Sequence, residues 1–453
     1  MGDTHSPSGF IAGLRYDDLP AEVIAAAKAS LLDTLSVAIA ARSAAGMAAV
    51  RQLVLEDGGA AHSRLWGTDQ RLPAPAAAFH NASLAAALDF DSLHPLTSHV
   101  DAVVLPAALA VAEQAGASGR ELLAASVAGT ELVLRLGRAG RESRGWFRTS
   151  IYGVFGAAAA AARLWRLDAA QTGAALGLAL GQAAGTQQSH IERRLSKRLQ
   201  SAFAARAGVE SARLARLGIS APDRPFDGRY GLFALYDAGD VAQAFDDLGA
   251  VWLSPATSYK KYPTCGRAHA AIEAALALAR TPGLEAGAID RVEVLLTSEM
   301  HQLVGAAYST EGDAEVTGQF CAQYGVAAAL ARGHFTLADI EPAAVLDADL
   351  QPLIARVHVR IDSSVAGTMA PATVRVHLHG GQTLAHTVDA LPGGASQPLT
   401  AGEREAKARA ALRHGGLDDS CVQALIDSVE QLEQLNDLAP LLAALDSTPR
   451  QRS

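Results

Sequence analysis

A mainly α-helical fold, with a smaller α+β unit set into it, is what this sequence predicts. Three features carry that expectation. The 49% hydrophobic content contains only 5% aromatic residues and rests on Ala, Leu and Val, which suits closely packed helices better than a β sandwich. Capping signals recur ahead of apolar runs at helical spacing. Alternation of apolar and polar residues is confined to one stretch after about residue 285.

In chain order, Pro20 precedes AEVIAAAKASLLDTLSVAIAA, apolar at helical spacing through Ala41. A Gly- and Pro-containing stretch around Trp66 follows, and Pro73 and Pro75 lead into an Ala-rich helix, Ala76 to Leu88. The next helix, VVLPAALAVAEQAG, ends near Gly116, and Ser118 with Glu121 caps ELLAASVAGTELVLRLG. Arg138 to Phe147 reads as a polar connection, and Gly153 to Leu164 as a helix of small residues that lets neighbours approach closely. Asp168 with Gln171 caps a helix running towards Gly185. The basic stretch TQQSHIERRLSKRL then precedes the helix SAFAARAGVESARLARLG.

The alternating segments IDRVEVLLTSE, LIARVHVRID, ATVRVHLHG and TLAHTVDAL predict about four strands, with Gly380 and Gly381 as a hairpin signal. Helices are expected between the first two, at Gly318 to Arg332 and Leu337 to Ala344. His358, His377, His379 and His386, with Arg356, Arg360 and Arg375, read as a solvated strand face. Thr400 with Glu403 caps a return to helices. The expected organisation is an all-helical domain of residues 1–255 and 398–453 and an α+β lid of residues 256–397.

Composition narrows the function. Lys and Arg total 38 against 47 Asp and Glu, a formal charge of −9, so nothing global attracts the chain to nucleic acid or an anionic membrane. Cys265, Cys321 and Cys421 lack metal-binding or disulfide spacing and fit reduced thiols, with a cytoplasmic location expected. No uninterrupted apolar run is of bilayer length, and MGDTHSPSGF reads as a frayed arm bearing only a loose myristoylation pattern at Gly2. Nucleotide-binding glycine motifs, a GxSxG elbow and HExxH are all absent from the sequence.

Chemistry concentrates in three stretches. DFDSLHPLTSH supplies Asp89, Asp91, His94 and His99; SKR supplies Lys197 and Arg198; and SYKKYPTCGRAHAAIEAA supplies Lys260, Lys261, Arg267 and His269. Together they offer carboxylate and imidazole bases beside several cations, the inventory for removing a proton from carbon next to a carboxylate.

The segments LLDTLSVAIAA, NASLAAALDFD, GVFGAAAAAARLWRL, SKRLQSAFAARAGV, KKYPTCGRAHAAIEA and PLTAGEREAKARAAL resemble, as a set, the MmgE/PrpD family. That family includes 2-methylcitrate dehydratase, cis-aconitate decarboxylase and iminodisuccinate epimerase. The resemblance implies a helical domain, an α+β lid, an active site between them, a homodimer and no cofactor or metal. It also implies functional roles for Asp89, His99, Lys197, His269 and, in the FCAQY segment, Tyr324.

Three family histidines are replaced here, by Phe147 in GWFRT, by Gln200 after SKRL, and by Ala86 ahead of DFD. A phenyl ring cannot transfer a proton, so the family's reactions do not carry over unaltered. The expected division of labour gives proton handling to Asp89, His99, Lys197 and His269. Asp91, His94, Arg148, Arg198, Lys261 and Arg267 are candidate substrate-binding groups. The expected activity is a lyase, dehydratase or decarboxylase, on a small di- or tricarboxylate. An epimerase of a polycarboxylate such as iminodisuccinate and a non-catalytic polycarboxylate-binding protein are the alternatives.

Overall fold

The computed structural model describes residues 6–141 and 144–445, so the Gly2 pattern lies outside the described residues. From Ser6 onward the arm is more ordered than its composition suggests. Ser6 accepts from the Gly9 amide and Pro7 occupies the first turn, so Pro7–Gly13 forms a helix that buries Ile11 and packs on helix Ala169–Leu180.

The large helical layer is built around Ser196–Arg216, which packs against Arg148–Leu164, Ala74–Ala87, Ala169–Leu180 and Asp101–Ala115. Small residues set the spacing. A Cβ on Gly208 would stand 2.5 Å from the Ala157 Cβ and 2.6 Å from the Val154 carbonyl, so the two helices cross at a distance only glycine allows. The capping boxes at Ser118/Glu121, Asp168/Gln171 and Thr400/Glu403 all form.

Helix Ala21–Ala40 is apolar enough over its length to suit a bilayer, yet it is a core helix. It is wedged among Ala74–Ala87, Asp101–Ala115, Gly119–Ala139 and the late helix Ala401–His414. Lys407 from that late helix reaches under the Asp89 turn, bonding the Phe90 carbonyl at 2.8 Å and Asp33 at 2.6 Å.

Besides a two-residue pair, β1 (Ser63–Arg64) with β2 (Arg71–Leu72), the described residues form one four-stranded sheet. Its strands are β3 (Ile289–Leu296), β4 (Val357–Ile361), β5 (Ala372–Leu378) and β6 (Thr383–Val388). Their order is β4-β3-β5-β6, with β3 parallel to β4 and the other pairs antiparallel.

Val292, Val294, Val374 and Val376 are fully buried, and helix Gly266–Ala279 packs on β5 and β6. On the opposite side of the alternation, His377 meets Glu293 at 3.4 Å and Thr383 at 3.0 Å. The chain is therefore mainly α with a smaller α+β region.

Local differences from the sequence reading have local causes. Leu353 to Arg356 belong to a short helix, Gln351–Arg356, and β4 begins only at Val357. The expected helix Gly318 to Arg332 is broken at Cys321, whose extended backbone separates Ala314–Phe320 from Ala322–Arg332. Leu337 to Ala344 is a 3-10 turn, Leu337–Ile340, followed by the short helix Pro342–Val345, because Pro342 cannot continue the preceding turn.

Candidate active site

Helix Ala74–Ala87 ends at Leu88, and Asp89 follows with φ of 49°, in the left-handed region that Asp tolerates better than most residues. Its buried carboxylate meets two lysines from distant parts of the chain. Lys197, in the first turn of Ser196–Arg216, bonds Oδ1. Lys260, in the extended segment before Gly266–Ala279, bonds Oδ2 at 2.7 Å and the Asp89 carbonyl at 2.6 Å.

Burial alone would raise the Asp89 pKa, but Lys197, Lys260 and His99 outweigh it and hold the carboxyl well below its usual range. Burial likewise favours a neutral Lys260, and Asp89 and Asp91 reverse that preference and keep it an ammonium. With the neighbouring Asp91 also ionised, the two carboxylates balance the two ammoniums.

Beside this cluster stands an oriented imidazole. His99 Nδ1 bonds Asp91 Oδ2 at 2.9 Å, and its Nε2 lies 3.8 Å from Asp89 Oδ1. Burial opposes ionisation of Asp91, and the charge and hydrogen bond of His99 overcome it, so the Asp91 pKa is lowered. In its uncharged form, a ring whose Nδ1–H is given to Asp91 carries the lone pair on Nε2, the tautomer a general base needs.

Asp89, Asp91 and His99 can each bring one ligand atom within 4.8 Å of the others, a possible metal set. Both Asp89 oxygens already accept ammonium protons and His99 Nδ1 is committed to Asp91. A cation there would have to displace two ammoniums, so the donor set fits a metal poorly.

Of these groups Asp89 and His99 line a cavity of about 780 Å³, and the buried Asp91, Lys197 and Lys260 stand next to them without lining it. Asp89, His94, His99 and Ser98 line one side; Phe147, Arg148 and His190 come from the Trp146 to His190 region; Cys265, Arg267 and Phe320 complete it from further along the chain.

Comparison with known proteins identifies the scaffold. Residues 8–244 match the MmgE/PrpD N-terminal domain and residues 262–434 the MmgE/PrpD C-terminal domain. The chain belongs to the MmgE/PrpD family. It is 30% identical to cis-aconitate decarboxylase-like protein oryM of Aspergillus oryzae, over 96% of this chain and 95% of that protein. Identity to a cis-aconitate decarboxylase of Aspergillus terreus is 28%, over 98% and 97%, and to that of Mus musculus 27%, over 98% and 93%.

Within this MmgE/PrpD chain the sequence-predicted residues divide into three groups. Asp89, Asp91, His99 and Lys197 converge in one hydrogen-bonded cluster, while Arg148 and Arg267 line the cavity. Arg148 pairs with Asp237 at 2.9 Å, and its buried Nε has no partner. Arg267 donates one N–H to the Glu299 carbonyl, leaving further guanidinium donors available.

Two others sit close by in supporting positions. His94 lines the cavity, but both ring nitrogens are engaged. Nε2 donates to the Leu253 carbonyl at 3.0 Å and Nδ1 accepts from the Leu96 amide at 3.3 Å, which ties down the loop carrying His99. His269 is fully buried behind the cavity wall on helix Gly266–Ala279, bonded to the Thr264 carbonyl at 3.3 Å. Burial, then the nearby Lys260, pushes its pKa down to about 3, so it is a neutral ring and a poor base.

The remaining three are not brought to the cavity. Arg198 is buried against Glu315 at 2.8 Å and the Ala45 carbonyl at 2.7 Å, so its guanidinium is occupied by the protein itself. Lys261 is exposed and paired with Glu273 at 2.8 Å. The Tyr324 hydroxyl donates to the Asp339 carbonyl, and burial raises its pKa to about 12. Each had been expected to act on substrate, and in each case a protein partner takes the polar group instead.

Sequence reasoning passed over two groups. Lys260 was grouped with Lys261 without being singled out; Lys260 is buried on Asp89, and Lys261 is exposed on Glu273. His190 was counted among the basic residues of a polar stretch, whereas it is buried, lines the cavity and is held neutral.

Of the replaced family histidines, Phe147 lines the cavity with its ring centroid 4.8 Å from that of His190. Gln200 accepts from the Thr186 amide at 2.7 Å and donates to Ser189 at 3.0 Å, fastening the turn that carries His190. Ala86 is buried within its helix.

Proposed function

We propose that this chain is a lyase of the dehydratase or decarboxylase type, needing no cofactor, whose substrate is a small tricarboxylate. The observation that carries the reading is the buried Asp89, Lys197 and Lys260 cluster beside the His99–Asp91 pair, opening on a cavity that Arg148 and Arg267 also line. The names of the relatives, cis-aconitate decarboxylases, favour a tricarboxylate and a lyase reaction.

In this mechanism the arginines that line the cavity draw in the polyanion. Lys197 places its ammonium where charge develops on a substrate carboxylate once an adjacent carbon loses a proton or carbon dioxide. Asp89, kept ionised, fixes the two ammoniums rather than exchanging protons. His99 moves the proton through Nε2, and Asp91 sets its tautomer.

The test is incubation in deuterium oxide with citrate, 2-methylcitrate, cis-aconitate and iminodisuccinate, following alkene formation, carbon dioxide release and deuterium incorporation. The reading expects alkene formation or gas release with at least one tricarboxylate. Deuterium exchange with inversion and no elimination would replace it by an epimerase, and binding without turnover of any acid would replace it by a binding protein.

A further inference from the structure

Among the described residues, three cavity-lining groups that the mechanism above does not use keep a buried polar atom unserved, Thr97 Oγ1, Gln187 Oε1 and His190 Nδ1, and of these His190 is the titratable one. It lies on the short helix Gln188–Ile191, is 5% exposed, and its Nδ1 is buried without a hydrogen-bond partner. A buried polar atom left unpaired is costly, so an imidazole kept this way in a cavity wall calls for a function.

Its placement is closely specified. The Phe147 ring lies 4.8 Å and the Phe320 ring 5.6 Å from the imidazole, centroid to centroid. The ring of Phe320 in turn carries Lys197 Nζ at 5.6 Å, so the imidazole and the ammonium flank one phenyl ring. The backbone around it is tied down by Phe147 N to Gly185 O at 3.0 Å, Gln187 N to Gly145 O at 2.9 Å and the two Gln200 bonds.

The groups acting on the ring are Lys197, Asp89, His99 and Lys260, and burial first, then Lys197, pushes its pKa down to about 3. An imidazole that stays neutral beside cations is an electrophile: it gives a hydrogen bond without giving up its proton.

We propose that His190 is a substrate-contacting hydrogen-bond donor that works with Lys197 to stabilise the charge developing on a substrate carboxylate. This rests on the functional reading above. His190 keeps its proton throughout, so the electron pair left by the departing proton or carbon dioxide is delocalised onto the carboxylate and no group is transferred to the ring.

The test compares His190→Phe and His190→Gln with the wild type on whichever acid the wild type converts. Binding of tricarballylate, a saturated tricarboxylate, and thermal unfolding are measured in parallel. His190→Phe should lower kcat by about 10²–10³-fold, the effect of removing one donor to a developing anion, with KM within threefold. His190→Gln, which keeps an N–H, should recover at least tenfold of that loss, a rescue that a purely structural role would not give.

Nitrogen-15 shifts should show a neutral His190 ring in the tricarballylate complex between pH 6 and 8, within the roughly neutral range where free histidine titrates. A His190→Gln enzyme that is folded and within threefold of wild-type kcat, together with a His190→Phe enzyme equally active, overturns the assignment, as does an imidazolium signature in the complex. A wild type that converts none of the acids overturns the functional reading itself, and the role of His190 with it.

Discussion

Lys197 and Arg198 are neighbours in the first turn of one helix, both buried and both paired with a carboxylate, yet they serve different parts of the molecule. Lys197 joins Asp89 at the edge of a cavity, where His99, Lys260 and His190 also gather. Arg198 joins Glu315 and the Ala45 carbonyl, tying its helix to the turn ahead of Met47–Asp57, and Glu315 in turn lines a separate cavity of about 540 Å³. Burial and ion pairing are alike in the two. What differs is the chemistry gathered around each partner: the cavity on Asp89 also presents His99, His190, Arg148 and Arg267, whereas the one on Glu315 is lined mainly by small and apolar residues, and that difference separates a candidate reaction centre from a structural clasp.

The strongest way to break the comparison is to disturb the oriented imidazole. Asp91→Asn presents a different hydrogen-bonding face to His99 and should lower kcat by about 10²–10⁴-fold with little change in folding. Steady-state kinetics checks it, and an unchanged kcat would remove His99 from the mechanism.

On the other side of the comparison, Arg198→Met leaves Glu315 buried without its partner. It should lower stability by about 3–5 kcal/mol while the folded fraction keeps near wild-type kcat. Denaturant titration and activity per folded molecule separate the two effects.

The acid beneath the site gives a pH signature. Asp101 is buried and bonded to Ser92 at 2.6 Å, and burial raises its pKa to about 6. Because its folded pKa lies above the unfolded value, the folded form holds the extra proton. Its contribution is complete below about pH 4 and is lost as pH rises through about 6. Asp101→Asn should therefore flatten that part of the urea midpoint against pH curve and raise the midpoint at pH 7 relative to wild type. The smallest effect is expected of Lys261→Ala, an exposed pair with Glu273, at under about 1 kcal/mol and less than threefold in kcat.

Much of the fold could be read from the chain because its signals are local. The capping boxes, the alternation of β3 and β5, and the Gly380–Gly381 turn each depend on a few adjacent residues, and each appears where that chemistry requires. Convergence of Asp89, His99 and Lys197 was legible only through the family resemblance, since more than a hundred residues separate Lys197 from Asp89.

The sequence reading and the structure part where a residue has more than one available partner. Arg198, Lys261 and Tyr324 carry the right functional groups, and which partner each one meets is set by tertiary packing. His190 was obscured in the same way. Its neighbours in sequence, Glu192, Arg193 and Arg194, suggested a solvated face, whereas the break between Gln188–Ile191 and Ser196–Arg216 folds the imidazole inward.

The most direct measurement sets the two neighbours against each other: kcat per folded molecule for Lys197→Met and Arg198→Met on the same tricarboxylate. The account predicts a loss of about 10³-fold or more for Lys197→Met and a change of less than threefold for Arg198→Met. A folded Lys197→Met enzyme that retains wild-type turnover would contradict it.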